Sequence, residues 1–436
     1  MQTLPSGRIP SAAKPDALIL EPFRAVRYAA DRVGGLAEVT SPPYDVIRQG
    51  AVTRLQAADP HNVVRLILPQ PGPDHPADAS ADAAGTLRAW LDSGVLVRDR
   101  EPALYAYEQA DSTGRVLQRG LIGAVRLSPP GAGVILPHED VMPGPVAGRL
   151  ELMAATRSNL EPIFLLLNGS CPTATGVLDT TVADAAPLID VVTEDDLHHR
   201  VWAITDPAGL AAIAADLAPQ QALIADGHHR YAAYLELQAR QRAAGAGPGP
   251  WDYGLALLVD SGAYPPRINP IHRVIGSLQP VDAVQAAKQA FRVESADEGL
   301  AASLAALERA GNDGPAFLIG DESATWLLTD PDPVQTAAAM PDGHSARWRG
   351  LDAAVRQELL IGRLWGIDDV QAVRLVHDDA AAALKAASQA GGTAVVCNPL
   401  SSADVTAVAA QGERVPPKST SFGPKPRTGL VLRVFG

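Results

Sequence analysis

Short apolar runs alternate along the chain with polar segments that contain proline or glycine. Two strand-like runs, residues 103–109 and 119–127, flank residues 111–114 (DSTG), whose residue types are common in tight turns. This pattern predicts a β-hairpin. The same patterns predict strands at 163–167, 222–225, 254–259, 394–397 and 430–434, and helices at 84–91, 150–155 and 231–241. This mixture of strands and helices predicts an α+β (mixed α/β) fold.

Composition along the chain predicts three segments. Residues 1–15 are polar and contain proline, so we expect a disordered N-terminus. The clearest break in the rest of the chain is residues 243–250 (AAGAGPGP). We therefore expect a core unit over residues 16–245, which includes the hairpin, and a C-terminal α/β subdomain over residues 246–436.

Charge and cysteine content exclude several classes of protein. The 436 residues include 36 basic and 49 acidic side chains, a net charge of −13, and no basic run that would suit a nucleic-acid partner. Cys171 and Cys397 lack the spacing of a disulfide framework or a zinc site. No run approaches the ~18–20 apolar residues that span a bilayer, and the N-terminus lacks a signal-peptide core. We therefore expect a cytoplasmic protein that binds neither nucleic acid nor membrane.

The most specific chemical pattern is residues 222–231 (ALIADGHHRY), a buried strand followed by a polar turn and the start of a helix. Gly227 lets the backbone turn closely, and the unpaired N–H groups of a first helical turn can bind an anion. Arg230 offers a fork of donors to phosphate oxygens, and His228 and His229 can donate or shuttle a proton. A capping aspartate followed by packed histidines would explain the same residues about equally well.

Two proline-containing segments are further candidates. The prolines of residues 41–45 (SPPYD) would hold Tyr44 and Asp45 in a fixed geometry, although an ordinary rigid turn has the same pattern. Near the C-terminus, Lys418 is followed by two hydroxyl side chains and, further on, by Lys425. These groups suit phosphate or carboxylate, but the glycine spacing of a Walker A loop is absent, and a solvated loop is the alternative.

A fourth candidate lies between two predicted strands, where His138 and Glu139 are followed by Arg149, Arg157 and Asn159. The histidine, the arginines and the asparagine could bind a substrate carboxylate or phosphate, with the glutamate as a base or metal ligand. A structural ion-pair network would use the same residues. The pattern leaves both interpretations open.

The DGHHR string after a strand resembles the phosphate-binding turn of the ParB/sulfiredoxin-like superfamily, which includes free serine kinases with the same string. The wider chain resembles a large uncharacterised bacterial and archaeal family, a domain of unknown function often encoded near serine-biosynthesis genes. The strings that carry this resemblance, in order, are 21–24 (EPFR), 42–46 (PPYDV), 61–66 (HNVVRL), 136–139 (LPHE), 157–160 (RSNL), 226–231 (DGHHRY), 272–273 (HR), 417–420 (PKST) and 428–430 (TGL).

The resemblance implies a ParB/sulfiredoxin-like core with insertions, in which residues 227–230 hold the phosphates of ATP or ADP. It also implies that Asp226 lies beside the transferred group, where it could bind Mg²⁺. These kinases use a glutamate near their N-terminus as the base, and Asp45 and Glu139 are our candidates for its counterpart. Lys418 would add a second contact to the nucleotide.

The leading hypothesis is a nucleotide- and Mg²⁺-dependent kinase that phosphorylates the hydroxyl of free serine or a related hydroxy-amino acid. The alternatives are a ParB-like nucleotide-binding switch or triphosphatase that acts on a partner, and a metabolite-binding protein without catalysis. The sequence contains no GxGxxG after its first strand, no GxSxG and no HExxH, which excludes the common dehydrogenase, serine-hydrolase and zinc-protease motifs. The oligomeric state stays open.

Overall fold

The computed structural model describes residues 17–70, 78–167, 169–296, 299–367 and 372–435. The prediction of a disordered segment over residues 1–15 therefore lies outside the described residues. The mixed α/β class is confirmed, because helices and strands alternate along the chain and the strands form both mixed and antiparallel sheets. No helix within the described ranges is long and apolar enough to cross a membrane.

The strands and helices follow one another along the chain. The strands are β1 (Leu20–Glu21), β2 (Val26–Tyr28), β3 (Leu96–Arg98), β4 (Leu104–Ala110), β5 (Val116–Arg126), β6 (Ile135–Leu136), β7 (Ser158–Asn159), β8 (Ile163–Leu167), β9 (Ile189–Val192), β10 (His198–Ile204), β11 (Ala222–Asp226), β12 (Tyr253–Asp260), β13 (Arg267–Asn269), β14 (Ile271–Ile275), β15 (Arg292–Ser295), β16 (Phe317–Gly320), β17 (Thr325–Thr329), β18 (Val373–His377), β19 (Thr393–Cys397), β20 (Ser421–Gly423) and β21 (Arg433–Val434).

The helices are α1 (Leu36–Val39), α2 (Gln49–Ala58), α3 (Val64–Ile67), α4 (Ala79–Asp92), α5 (Pro143–Thr156), α6 (Pro172–Asp184), α7 (Pro207–Leu217), α8 (His228–Ala243), α9 (Pro280–Ala287), α10 (Leu300–Gly311), α11 (Pro333–Ala339), α12 (Ala346–Arg349), α13 (Asp352–Ala354), α14 (Ala380–Ala390) and α15 (Ser402–Ala410). A π-helical segment, Val355–Leu364, continues α13. The predicted hairpin is confirmed as β4 and β5, which pair antiparallel.

The larger sheet has the strand order β6-β11-β8-β12-β5-β4-β10-β9, and β1 pairs with β5. β12 is parallel to β8, whereas β11 and β8 are antiparallel. The inner strands β8, β11 and β12 are apolar and almost fully buried, as expected of strands covered on both faces. The division at residue 246 stays a prediction; β12, which follows it, pairs within this larger sheet.

The second sheet is antiparallel throughout, with the order β15-β17-β16-β19-β14-β18. After α15 the chain passes beside the first sheet, where β20 contacts β11. β20 pairs with β13, β21 pairs with β7, and Thr428 bridges to Ser41. This path brings the lysines of the C-terminal segment next to the turn that follows β11.

Phe164→Ala tests the packing that supports this turn. Phe164 is fully buried in β8, where its partner in the sheet register is Asp226 at the end of β11. Removing a buried aromatic ring leaves a cavity, so we expect the free energy of unfolding to fall by about 3–5 kcal/mol in urea denaturation followed by circular dichroism. Val281→Ala, at an exposed position, should change it by less than about 0.5 kcal/mol. A loss from Phe164→Ala as small as that of the control would contradict this packing.

Candidate functional site

The centre of the site is the junction between β11 and α8. Gly227 separates the strand from the helix and has φ +98°, a left-handed conformation that favours glycine. The first backbone N–H that bonds back along the helix is that of Tyr231, which donates to the Gly227 carbonyl at 2.9 Å. The preceding N–H groups have no intrahelical acceptor, so α8 presents its positive end at the turn.

A cavity of about 560 Å³ opens at this junction. It brings together the loop after α1, the turn after β11, the second sheet and the C-terminal segment. Its lining includes the predicted site residues Tyr44, Asp45, Glu139, Asp226, Gly227, His228, His229, Arg230 and Lys418, together with Val46, Ile47, Arg48, Ala225, Ile271, Leu375, His377, Thr420, Ser421, Phe422 and Lys425. Most of the residues that sequence reasoning selected therefore share one cavity.

Lys425 links two carboxylates across the cavity. Its Nζ lies 2.6 Å from Asp45 Oδ2 and 2.5 Å from Asp226 Oδ1. Burial alone would lower the pKa of Lys425, but the two carboxylates outweigh this effect and raise it. Burial would likewise raise the pKa of Asp45, and the charges of Lys425 and Arg230 lower it instead. Both side chains are therefore charged at neutral pH.

Arg230 is already engaged within the protein. Its side chain is 2% exposed, Nη2 pairs with Asp226, and Nη1 donates to the Pro162 carbonyl at 2.6 Å. Its guanidinium carbon lies 5.9 Å from the centre of the Tyr44 ring. Arg230 therefore fixes the carboxylate of Asp226 and adds positive charge to the cavity wall, with Nη1 and Nη2 both bound within the protein.

Glu139 differs from the other two carboxylates because no cation pairs with it among the described residues. Its Oε1 accepts a hydrogen bond from Thr420 Oγ1 at 3.3 Å. Burial raises the pKa of Glu139, and the charge of Lys418 only partly opposes that effect. A carboxylate whose pKa is raised accepts a proton more readily than an exposed one, which is the property of a general base.

The histidines beside the turn are held by hydrogen bonds. His138 is 1% exposed, bonds Thr420 Oγ1 at 2.8 Å and packs edge-on against His228. Burial lowers the pKa of His138 to about 3 and that of His228 well below its ordinary value. The His229 Nε2 accepts a hydrogen bond from the Met142 N–H at 3.1 Å. The two buried rings are therefore neutral.

Four predicted substrate-binding residues lie outside the cavity lining. His138 is behind it, and Arg149 stacks on the outer face of Tyr44 and donates to the Ile67 carbonyl at 2.7 Å. Arg157 is exposed at the end of α5, and Asn159 Oδ1 accepts from Arg433 at 2.8 Å. Their assignment to substrate binding stays a prediction; His138, Arg149 and Asn159 are already held by contacts within the protein.

Sequence reasoning gave no role to His377, which lines the cavity, and it missed the contact of Thr420 with Glu139. The sequence indicates Lys425 as a group that suits phosphate or carboxylate, but not its pairs with Asp45 and Asp226. Among the described residues no group of three or more His, Cys, Asp or Glu side chains could hold a metal ion by itself. A Mg²⁺ ion here would rely on one or two carboxylates, with water or phosphate oxygens as its other ligands.

A family model described as "Protein of unknown function (DUF1015)" matches residues 20–354. No curated protein matches the chain. Among solved structures, a free serine kinase mutant in complex with AMP is 13% identical, with 66% of this chain and 84% of that chain covered and a TM-score of 0.34. SbnI from Staphylococcus aureus, with a C-terminal truncation, is 13% identical, with 72% and 87% covered and a TM-score of 0.35. A conserved hypothetical protein from Pyrococcus furiosus is 14% identical, with 69% and 91% covered and a TM-score of 0.32.

Gly227→Ala tests the geometry of the turn. A Cβ at this position would lie 2.9 Å from Ile163 Cγ2 and 3.2 Å from Arg230, and the positive φ is strained for alanine. We expect the free energy of unfolding to fall by about 1–3 kcal/mol in urea denaturation. Gly247→Ala is the matched control, because a Cβ there meets nothing within 4 Å. Equal stability of the two variants would show that the turn does not need glycine.

Proposed function

We propose that this chain, which belongs to the DUF1015 family of proteins of unknown function, binds a nucleotide and transfers its terminal phosphoryl group to a hydroxyl group. The acceptor would be free serine or a related hydroxy-amino acid. The observation that carries the proposal is the composition of the 560 Å³ cavity, where the positive end of α8 and two lysines meet three carboxylates. Phosphoryl transfer chiefly requires such positioning and charge neutralisation.

The phosphates would lie against the N-terminus of α8. Its free N–H groups, Lys418 and Lys425 are the available donors, and His229 lies beside them at the same end of the helix. Lys418 is exposed and forms no ion pair within the described residues, so its ammonium is free to meet an anion. Lys425 would contact a phosphate while still held by Asp45 and Asp226. Arg230 supports this surface from below through its pair with Asp226.

The carboxylates would divide between metal binding and proton transfer. Asp226, with Asp45 nearby, would hold Mg²⁺ together with phosphate oxygens, and the ion would neutralise charge on the phosphates. Glu139 suits the role of the base, since burial raises its pKa and it forms no ion pair with any described residue. Asp45 suits that role less well, because Lys425 and Arg230 lower its pKa despite burial.

The remaining walls fit the rest of a nucleotide. Ile271, Leu375 and Phe422 give the cavity an apolar side that could cover a base or ribose, as apolar walls do in most small-molecule sites. The choice of serine as the acceptor class rests on the resemblance of the DGHHR string at residues 226–230. The nucleotide and the phosphate acceptor are therefore supported by different observations.

Lys418→Met and Lys425→Met test the phosphate site. Each change removes one ammonium from the cavity, so we expect the affinity for ATP with Mg²⁺ to fall about tenfold or more in isothermal titration calorimetry. Lys288→Met is the control, because Lys288 is an exposed residue directly after α9 and does not line the cavity, so the affinity should stay unchanged. Melting curves separate loss of binding from loss of folding, which matters most for Lys425. ATP binding of wild-type strength in both cavity variants would contradict this site.

Glu139→Gln tests the proposed base. The amide keeps the hydrogen-bonding shape but cannot accept the proton, so we expect turnover with serine to fall about 10²–10⁴-fold while ATP affinity is retained. Asp45→Asn should lower the affinity for ATP with Mg²⁺ more than it lowers turnover at saturating ATP, both measured for the same variant. Full turnover in Glu139→Gln would refute this assignment. Tight ATP binding by the wild-type chain without phosphorylated product would favour a nucleotide-binding switch.

A further inference from the structure

A second, larger cleft of about 1050 Å³ lies on the other side of the strands that wall the first cavity. Successive side chains of a strand point to opposite faces of a sheet. On β14, Ile271 lines the first cavity and the next residue, His272, lines the cleft. His377, the last residue of β18, lines the first cavity, and Asp378 after it lines the cleft. The two spaces are therefore separate.

His272 presents a fixed hydrogen-bond donor in the cleft. The side chain is 2% exposed, and its Nδ1 accepts a hydrogen bond from the Cys397 N–H at 3.2 Å. Burial lowers the pKa of His272 to about 4, so the ring is neutral and its proton must be on Nε2. No partner of Nε2 is found among the described residues. His272 lines the cleft, so a ligand there can supply an acceptor for this N–H.

The cleft also contains a carboxylate without a counter-ion. Two of its acidic residues are neutralised by arginines, Asp378 by Arg267 at 3.3 Å and Asp404 by Arg347 at 3.0 Å. Asp352, at the start of α13, forms no ion pair within the described parts of the chain. A partly buried carboxylate in this state favours a cation.

Arg356, one helical turn after Asp352, does not supply this counter-ion. Its terminal nitrogens contact Cys397 Sγ at 3.4 Å and Ser419 Oγ at 3.3 Å. Burial raises the pKa of Asp352 to about 6, and the charge of Arg356 opposes that shift only in part. Asp352 is therefore mostly ionised at neutral pH, with the charge of Arg356 and a backbone hydrogen bond from Ala316 stabilising it but no ion pair among the described residues.

We propose that this cleft is a second ligand site, which binds a small primary amine that also carries a hydrogen-bond acceptor. The ammonium group pairs with Asp352, and the acceptor receives the Nε2–H of His272. Amino alcohols and amino-acid derivatives are the chemical class that fits both groups. The charge requirement is opposite to that of the first cavity, where two lysines and the end of α8 favour an anion.

The test is isothermal titration calorimetry of the full chain at pH 7.5 with serinol (2-amino-1,3-propanediol) and with ethanolamine. Glycerol is the matched control, because it replaces the ammonium of serinol by a hydroxyl and keeps the rest of its shape. We expect an amine to bind and glycerol to give no heat of binding. Failure of both amines to bind at millimolar concentrations would overturn the proposal.

Two variants remove the groups that the proposal uses. Asp352→Asn removes the charge, and His272→Asn keeps an acceptor near the position of Nδ1 but removes the Nε2 donor. Each should weaken amine binding at least tenfold. Glu308→Gln changes an exposed carboxylate at the rim of the same cleft and should alter binding less than twofold. Wild-type affinity in Asp352→Asn, with melting curves showing that the chain is folded, would overturn the assignment.

The site does not depend on the proposed phosphotransfer. Lys425→Met alters the first cavity alone and should leave amine binding unchanged. Tighter amine binding at the same stoichiometry in a folded Lys425→Met chain would mean that the amine binds among the carboxylates of the first cavity, where it replaces the lysine ammonium, and this would overturn the second site. Amine binding by a chain that has no affinity for ATP would support this site and refute the nucleotide proposal separately.

Discussion

The candidate site depends on the ammonium of Lys425, which is shared by Asp45 and Asp226. Lys425 lies 380 residues along the chain from Asp45. Asp45 belongs to the loop after α1, whereas Asp226 is the last residue of β11. Two carboxylates this close would repel each other in a partly buried cavity, and removing one partner from such a cluster leaves an uncompensated charge. The negative charges of Asp45 and Asp226 are therefore neutralised by Lys425 only once the C-terminal segment lies beside β11.

The second sheet holds that segment in place. Arg273 on β14 donates to the carbonyls of Pro417 and Lys418 at 3.2 and 2.9 Å, and it also bonds the Ile271 carbonyl. Arg356 reaches Ser419 in the same loop. Burial, and after it the charge of the neighbouring Arg356, lowers the pKa of Arg273 to about 9. β14 therefore positions the part of the loop that faces the cavity. The opposite face of β14 borders the second cleft.

Local sequence patterns predicted the turn but could not predict its contacts. The strand and helix around Gly227 follow from a short apolar run and a glycine, and α8 begins three residues earlier than the pattern indicated because Gly227 itself makes the turn. Arg230 looks like a free phosphate ligand in sequence, yet it pairs with Asp226 four residues earlier. The role of Lys425 depends on tertiary structure, since no local pattern connects it with residues hundreds of positions away.

The most direct measurement is a crystal structure of the chain with Mg²⁺ and a non-hydrolysable ATP analogue. We expect the phosphates at the N-terminus of α8, within hydrogen-bond distance of Lys418 and Lys425, with the metal beside Asp226. The side chain of Glu139 should face the terminal phosphate across the space left for an acceptor hydroxyl. An analogue bound elsewhere, with the Lys425 bridge intact and the 560 Å³ cavity empty, would contradict the account.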